Sequence, residues 1–310
     1  MQKLIEELSS ILLLENFRLS KLSPKIFICG GEISDADTGS YISIRDYVFW
    51  NIFACDRDLH KRLVRAEDIN QWFGDEQHYE DLLQLETDLA GLVTAIPIFV
   101  ESAGSLAELG SFTVISEICK KLLVFIYKSH SRKKSFIWLG PLRKVDEEKI
   151  RIYEFLEKEP PYKTSDFSEC GPLVVDDIQR LCADNSYKGE FDSSVEAHRI
   201  FLLCDIAFIL NLSKKSEILF FMRKLGLDVE MKDIGKYLWV AEKMEMIKKI
   251  DKYGDTYYYV PLHSETSYVG FAYREGTDPS LKDRDRWKNK MLEHIEESDS
   301  RRAKALGEMD

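Results

Sequence analysis

Apolar positions along this chain fall into short, nearly continuous runs that alternate with longer stretches at helical spacing. Residues 25–29, 94–100 and 122–127 are runs of strand length, the kind found in parallel strands buried on both faces. Within the second, Pro97 donates no ladder hydrogen bond and implies a bulge. Between the runs, residues 44–55 offer Tyr47, Val48, Phe49 and Ile52 to a core. Residues 78–92 set Leu82, Leu83, Leu85 and Leu89 at roughly helical spacing. Residues 105–120 read as a further helix and 63–66 as a short second strand. This alternation predicts an α/β, doubly wound parallel sheet. Residues 2–18 read as an amphipathic helix packing beside it.

The pattern changes further on. Residues 145–156 read as a charged helix, and Glu159-Pro160-Pro161-Tyr162 breaks it and marks a domain boundary. Helices are expected at 195–210, 214–224 and 231–246. Strands follow at 247–251 and 256–260 around Lys252-Tyr253-Gly254-Asp255, a hairpin turn containing glycine. Three helices and a two-stranded wing predict a winged helix-turn-helix domain. From Pro279 the chain is a charged helix with Leu281, Trp287 and Met291, then a polar end read as disordered. The expected divisions are an N-terminal helix (1–20), a catalytic domain (21–145), a helical connector (146–192), a winged helix domain (193–262) and a charged tail (263–310). A fragment starting near residue 190 is expected to fold alone.

With 310 residues, 45% hydrophobic, the chain can bury two cores. Its net charge of −11 excludes a protein that coats nucleic acid with its whole surface. Against that background residues 118–145 hold Lys120, Lys121, Lys128, Arg132, Lys133, Lys134, Arg143 and Lys144 without one acid. Phe136, Trp138 and Tyr127 interleave with them, which favours phosphate binding over a merely solvated loop. Lys232, Lys236, Trp239 and Lys243 recur along one face of the 231–246 helix. The longest apolar run, 200–212, contains Asp205 and Asn211 and falls short of the ~20 residues of a membrane helix. The start of the chain lacks a basic n-region and a cleavage site, so no signal peptide is expected. Six cysteines without a Cys-x-x-Cys pair and six scattered histidines predict neither disulfides nor a metal site, and a cytoplasmic setting.

The chemistry concentrates at residues 95–112. An apolar strand ends at Glu101, a small-residue loop (Ser102, Ala103, Gly104) follows, and a helix starts at Ser105. In doubly wound folds ligands bind at this crossing from strand end to helix. Gly104 allows a close backbone approach, and first-turn amides favour anions. Glu108 lies one turn into the helix, where a carboxylate can attack or stabilise an electron-poor sugar carbon. The plainer reading is that Ser105-x-x-Glu108 is a capping box. Glu86, Asp88 and Glu101 could converge on the same crevice. Like charges in a desolvated site push one carboxyl toward acting as an acid. Gly30 and Gly31 close the first strand beside it and suit approach by a ribose or phosphate.

Cys29-Gly30-Gly31, Thr87-Asp88-Leu89-Ala90-Gly91 and Gly104-Ser105-x-x-Glu108-Leu109-Gly110 resemble the nucleoside deoxyribosyltransferase superfamily, which cleaves N-glycosidic bonds and has a Rossmann-like fold. The same Cys-Gly-Gly, the run Glu101 to Phe112, and Ser135-Phe136-Ile137 through Gly140-Pro141-Leu142-Arg143 resemble the toxin-like effectors encoded beside bacterial retron reverse transcriptases. The resemblance implies Glu108 as nucleophile or oxocarbenium stabiliser and Asp88 as its acid/base partner, with Glu101 and Glu86 nearby. It implies substrate contacts from Gly30, Gly31, Ser102, Gly104 and Ser105. It departs from the superfamily at Thr94, where an Asp is usual, and at Pro97. The expected function is an antiphage effector, an N-glycosidase that hydrolyses a nucleotide, NAD foremost, as substrate and with no cofactor. The expected partners are the reverse transcriptase with its msDNA and non-coding RNA, which hold the enzyme inactive. Arg132, Lys133, Lys134, Arg143, Lys232, Lys236 and Lys243 are the expected nucleic-acid contacts. Further copies of the chain in a homo-oligomer or filament are also expected, and no membrane. Two rivals remain: a salvage deoxyribosyltransferase, and a non-catalytic nucleic-acid-binding regulator.

Overall fold

Strands β1 (Ser23–Ile28), β2 (Leu63–Arg65), β3 (Val93–Val100), β4 (Leu122–Tyr127) and β5 (Ile150–Tyr153) form one sheet in the order β2-β1-β3-β4-β5. The pairings β1–β2, β3–β4 and β4–β5 are parallel, and β1 meets β3 through a parallel bridge between Cys29 and Ile98. This is the architecture of a computed structural model that describes residues 1–20, 22–65, 67–68, 78–128, 134–153, 160–184, 189–261 and 267–308. The chain divides into two units: Pro24–Ser186, and Met1–Ser23 together with Tyr187–Asp310.

The sheet unit is α/β, as the alternation of runs predicts. All eight residues of β3 are buried, so it is the central strand. The ladder pattern explains how β3 tolerates Pro97. Cys29 N donates to the Pro97 carbonyl (3.0 Å) and Phe99 N donates to the Cys29 carbonyl (2.9 Å). The next rung would need a Pro97 N–H aimed at the Phe27 carbonyl. Proline lacks it, and the Cys29 thiol points at that carbonyl instead, at 3.9 Å. Helix α1 (Ile44–Cys55) begins at its cap Ser43, whose Oγ accepts from Asp46 N at 2.9 Å. Helix α2 (Leu82–Leu92) starts four residues later than expected, because Asp81 caps it by accepting from Gln84 N. Helices α3 (Ala103–Phe112) and α4 (Gly171–Asp184) follow. Val48 and Ile52 of α1, Val174 and Ile178 of α4, and Ile26, Phe99 and Phe125 of the sheet share one core.

Three expectations change here. Over its described part, 145–153, the segment read as a charged helix at 145–156 is a single 3-10 turn (Glu147–Lys149) leading into β5, an edge strand in which Ile150 and Ile152 alternate with Arg151. The flanking charges disguised a strand of four residues. The unit therefore continues past Pro160-Pro161 and includes α4. The helix read over 105–120 ends at Phe112, with one separate turn at Ser116–Cys119. The chain over 32–39, whose Asp35, Asp37 and Gly39 suggest a mobile loop, is tied down: Asp46 accepts from Ser34 N, Ser34 Oγ and Ile42 N.

The second unit contains helices α5 (Glu196–Leu210), α6 (Lys215–Lys224) and α7 (Met231–Lys243) and the antiparallel hairpin of β6 (Lys248–Lys252) and β7 (Asp255–Tyr259). The turn is the two residues Tyr253 and Gly254, both at positive φ (54° and 84°). That is the twist a two-residue hairpin requires. Helices α8 (Arg284–Ser298) and α9 (Ser300–Leu306) close the chain. Arg284 of α8 reaches the buried Asp205 of α5 at 2.7 Å, and Asp205 also accepts from Val269 N. Burial pushes the Asp205 carboxyl up to about 6, against the pull of Arg284.

The polar end read as disordered is α9, in which Arg302 is buried and bidentate on Glu217 at 2.8 Å through both nitrogens. The N-terminal helix spans Gln2–Ile11, not 2–18, and belongs to this second unit. Leu12 turns extended there, bridges to Tyr273, and Leu13 N donates to the Ala272 carbonyl. Ile5 and Leu8 are buried, and Glu6 pairs with Lys224 of α6 at 2.7 Å. A fragment starting near residue 190 lacks this helix and so lacks part of its own unit. Among the described residues no helix is long and apolar enough to cross a membrane, and no three His, Cys, Asp or Glu side chains are grouped to hold a metal.

Candidate active site

The end of β3 is organised by Glu101. Its Oε1 accepts from Gly31 N (3.0 Å) and Arg45 N (3.1 Å), and its Oε2 from Ile44 N (2.8 Å) and the Tyr127 hydroxyl (3.3 Å). The amides of Ile44 and Arg45 are the open N–H groups at the start of α1, so the carboxylate serves as a second cap there. Burial raises its pKa and these four donors pull it back. Glu101 thus binds β1, α1 and β3 into one corner.

Helix α3 begins at Ala103, two residues before the expected start. Its cap is Ser102, in extended geometry, whose Oγ accepts from Ser105 N at 3.0 Å. Ser105 Oγ accepts in return from Ser102 N (3.1 Å) and Glu101 N (3.2 Å). The capping box is therefore Ser102-x-x-Ser105, not Ser105-x-x-Glu108. Both serines are consumed by the turn, and Glu108 takes no part in capping. Its Oε2 is buried and has no hydrogen-bond partner.

Around Glu108 stand Arg45, Cys29, Glu67 and Glu86, from four different segments. Arg45 is 1% exposed. It chelates Glu67 through two bonds (2.9 and 2.7 Å) and donates to the Gly31 carbonyl at 2.9 Å. Burial raises the Glu108 carboxyl while the Arg45 charge lowers it. Glu86 of α2 is pushed up to about 7 by burial and then by the charge of Glu108. Burial, aided by Glu108 and Glu86 and opposed by Arg45, lifts the Cys29 thiol well above its ordinary value. Asp88 lies two residues from Glu86 and hence on another side of α2. Its Oδ2 accepts from the Tyr79 hydroxyl at 2.8 Å. Of the four expected carboxylates, Glu86 feels the charge of Glu108, Glu101 braces the corner, and Asp88 is held by Tyr79. Arg45 and Glu67 were not anticipated. Glu67 is 22 residues from Arg45 and no local spacing links them, although an arginine in the first turn of a helix, where cations are disfavoured, was a readable signal.

The glycines have specific neighbours. A Cβ on Gly30 would stand 2.9 Å from Arg45 Cδ and 3.0 Å from Phe99 Cβ, and one on Gly31 would stand 2.7 Å from Ser43 Cβ. Gly30 and Gly31 make room for the first turn of α1 to pass the end of β1. Gly104 meets only Ser102 Oγ, at 3.7 Å, so the protein itself does not require a glycine there.

The basic residues separate into groups. Arg132 and Lys133 lie outside the described residues. Lys134 and Arg143 are exposed. Lys121 is buried, donates to the carbonyls of Ala90 (3.1 Å) and Gly91 (2.6 Å) at the end of α2, and is pushed down to about 7 by burial. Lys120, paired with Glu117, and Lys144 line a pocket of about 390 Å³ with Thr113, Val114, Ser116, Cys119 and Asp146. On α7, Lys232 is exposed and pairs with Glu230, Lys236 pairs with Glu196 of α5, and Lys243 lies over the ring of the buried Trp239. The stripe at helical spacing thus turns inward at Lys236 and Trp239.

A family model described as STM3845 retron effector protein matches residues 41–249, which span α1 to the hairpin. An Escherichia coli protein named "Retron Ec86 putative ribosyltransferase/DNA-binding protein" is 27% identical over 135 residues, 41% of this chain and 39% of the relative. A second from the same organism, "Retron Ec73 putative ribosyltransferase/DNA-binding protein", is 35% identical over 83 residues, 26% of each chain. The aligned stretches thus span about two fifths and one quarter of these relatives.

Proposed function

The chain belongs to the STM3845 retron effector family, and from that premise we propose that its α/β unit is an N-glycosidase of the nucleoside deoxyribosyltransferase type, with NAD as its foremost substrate. The observation that carries this reading is Glu108: a buried carboxylate oxygen without a partner, at the helix that follows the central strand, whose charge acts on a second carboxyl, Glu86. The names of the two relatives, ribosyltransferase and DNA-binding protein, support glycosyl chemistry.

In this reading the C1′–N bond breaks and its electron pair leaves with nicotinamide, whose ring becomes neutral. Glu108 meets the positive charge developing at C1′, as nucleophile or as fixed anion. Water supplies the new C1′–O bond and gives its proton to a carboxylate. Glu86, poised near neutrality, suits that transfer, and Asp88 is the alternative base. A leaving base other than nicotinamide would take a proton from the same group.

The second unit, with three helices and a hairpin, is proposed as a winged helix that docks a reverse transcriptase and its msDNA, which hold the glycosidase inactive. Exposed Lys134 and Arg143, with Arg132 and Lys133, supply phosphate contacts in this scheme, and Lys232 and Lys243 supply others. Incubating the purified protein with NAD, nucleosides and nucleotides, and following base release by chromatography, tests the reading. Release of nicotinamide supports it, release from deoxynucleosides with exchange of bases favours a salvage transferase, and no release from any of them favours a non-catalytic regulator. Charge reversal at Arg132, Lys133 and Lys134 is expected to weaken binding of an RNA–DNA hybrid and flatten its salt dependence.

A further inference from the structure

We infer that Arg45 is a positioning residue of this site: its buried guanidinium, fixed by Glu67 and by the Gly31 carbonyl, favours the anionic form of Glu108 and leaves Glu86 as the carboxyl of the two that takes up and releases a proton. The inference rests on the glycosidase reading for its consequence, though not for its observable.

Three features place the charge. The Arg45 backbone is pinned at the start of α1 by Glu101, through the amides of Ile44 and Arg45. Its side chain threads past Gly30, where any Cβ would collide with Arg45 Cδ. Its head is held by two bonds to Glu67 and one to the Gly31 carbonyl. A guanidinium gripped from both ends cannot swing away as a lysine could. Two buried polar atoms of the cluster remain without partners, Arg45 Nε and Glu108 Oε2.

Among the described residues, the titratable or charged groups that act electrostatically with Glu108 are Arg45 from α1, Cys29 from the end of β1, Glu67, and Glu86 from α2. Arg45 is the one cation among them, and it acts on Glu108, while Glu86 feels burial and the Glu108 charge. Neighbouring carboxyls divide their roles when their surroundings separate their proton affinities. Arg45 provides that asymmetry here, and Glu67 tempers it.

The test follows the protonated carboxyl C=O stretch of the full-length protein by infrared spectroscopy across pH, with Glu108→Gln and Glu86→Gln assigning the bands. Arg45→Met is expected to raise the titration midpoint of Glu108 by about one pH unit or more, and Arg45→Lys to restore part of it. Glu67→Gln, which removes a negative neighbour, is expected to lower that midpoint, an opposite sign that serves if Arg45→Met fails to fold. Midpoints that stay put in folded Arg45→Met or Glu67→Gln protein overturn the inference. The acid limb of base release should shift with them. If the infrared shifts appear but no nucleotide loses its base, the glycosidase reading fails and the role of Arg45 stands.

Discussion

Ser102 and Ser105 hold each other: the Ser105 amide donates to Ser102 Oγ at 3.0 Å, and the Ser102 amide donates to Ser105 Oγ at 3.1 Å. This reciprocal pair starts α3 without help from any carboxylate. Glu108, which a capping box beginning at Ser105 would have occupied, is left under the charge of Arg45 and raises Glu86 in turn. Capping and chemistry therefore fall to different residues of one turn, and substitution can separate them.

Ser102→Ala is expected to cost ~1 kcal/mol of stability through loss of the cap, with base release reduced far less than in Glu108→Gln. Glu108→Gln should melt near the parent temperature, because the burial that disfavours the Glu108 charge offsets the attraction of Arg45 that the neutral amide gives up. Its base release should fall to background. Differential scanning fluorimetry beside a nicotinamide-release assay reads both. An active Glu108→Gln protein would remove Glu108 from the mechanism.

Glu86 predicts a pH signature in stability. Its carboxyl rises from 4.5 to about 7 on folding, so between these values the folded chain holds a proton that the unfolded chain has released. Stability from this group is complete below about 4.5 and is lost as pH climbs to about 7. At ~1.4 kcal/mol per unit, the loss is ~3 kcal/mol at most. Urea titrations at pH 5 and pH 7.5 should show that difference shrinking in Glu86→Gln. In activity, Glu86→Gln should erase the limb near pH 7. If Asp88→Asn erases it instead, Asp88 is the base.

At Gly30 the expectation is steric. Gly30→Ala places a methyl against Arg45 Cδ and Phe99 Cβ, an overpacking that costs ~1–3 kcal/mol. Because Arg45 must yield, base release should fall more than stability. The comparison is Gly104→Ala, whose Cβ meets nothing closer than 3.7 Å. If both alanines behave alike in thermal melts, the close packing at Gly30 carries no weight.

In the second unit, Arg302→Ala leaves Glu217 partly buried without its partner. Breaking a buried pair from one side costs ~3–5 kcal/mol, whereas an exposed arginine in a disordered tail would cost almost nothing. Circular dichroism during urea unfolding distinguishes these outcomes.

What the sequence disclosed follows from how local each determinant is. β3 and β4 were readable because both faces are buried and the apolar runs are unbroken. α1 was found at its true ends because Ser43 caps it and Asp56 follows it. β5 escaped because an edge strand of four residues amid charges has too little periodicity to register. The start of α3 was misplaced because two overlapping Ser-x-x patterns compete there. The choice is made by the Glu101 and Ser102 amides, which leave the sheet and need Ser105 Oγ. Glu108 was visible as a motif residue. Arg45 and Glu67 were not, since their pairing exists only after β1, α1 and β2 have come together.

The sheet unit is flanked on both sides by pieces of its companion, Met1–Ser23 before it and Tyr187–Asp310 after it. A ribosome therefore releases the whole of Pro24–Ser186 while the N-terminal helix is still waiting for α6. At ordinary elongation rates that interval is on the order of ten seconds, long enough for Arg45, Glu86 and Glu108 to assemble first. The candidate site can therefore assemble before the second unit has received the helices that its N-terminal helix packs against.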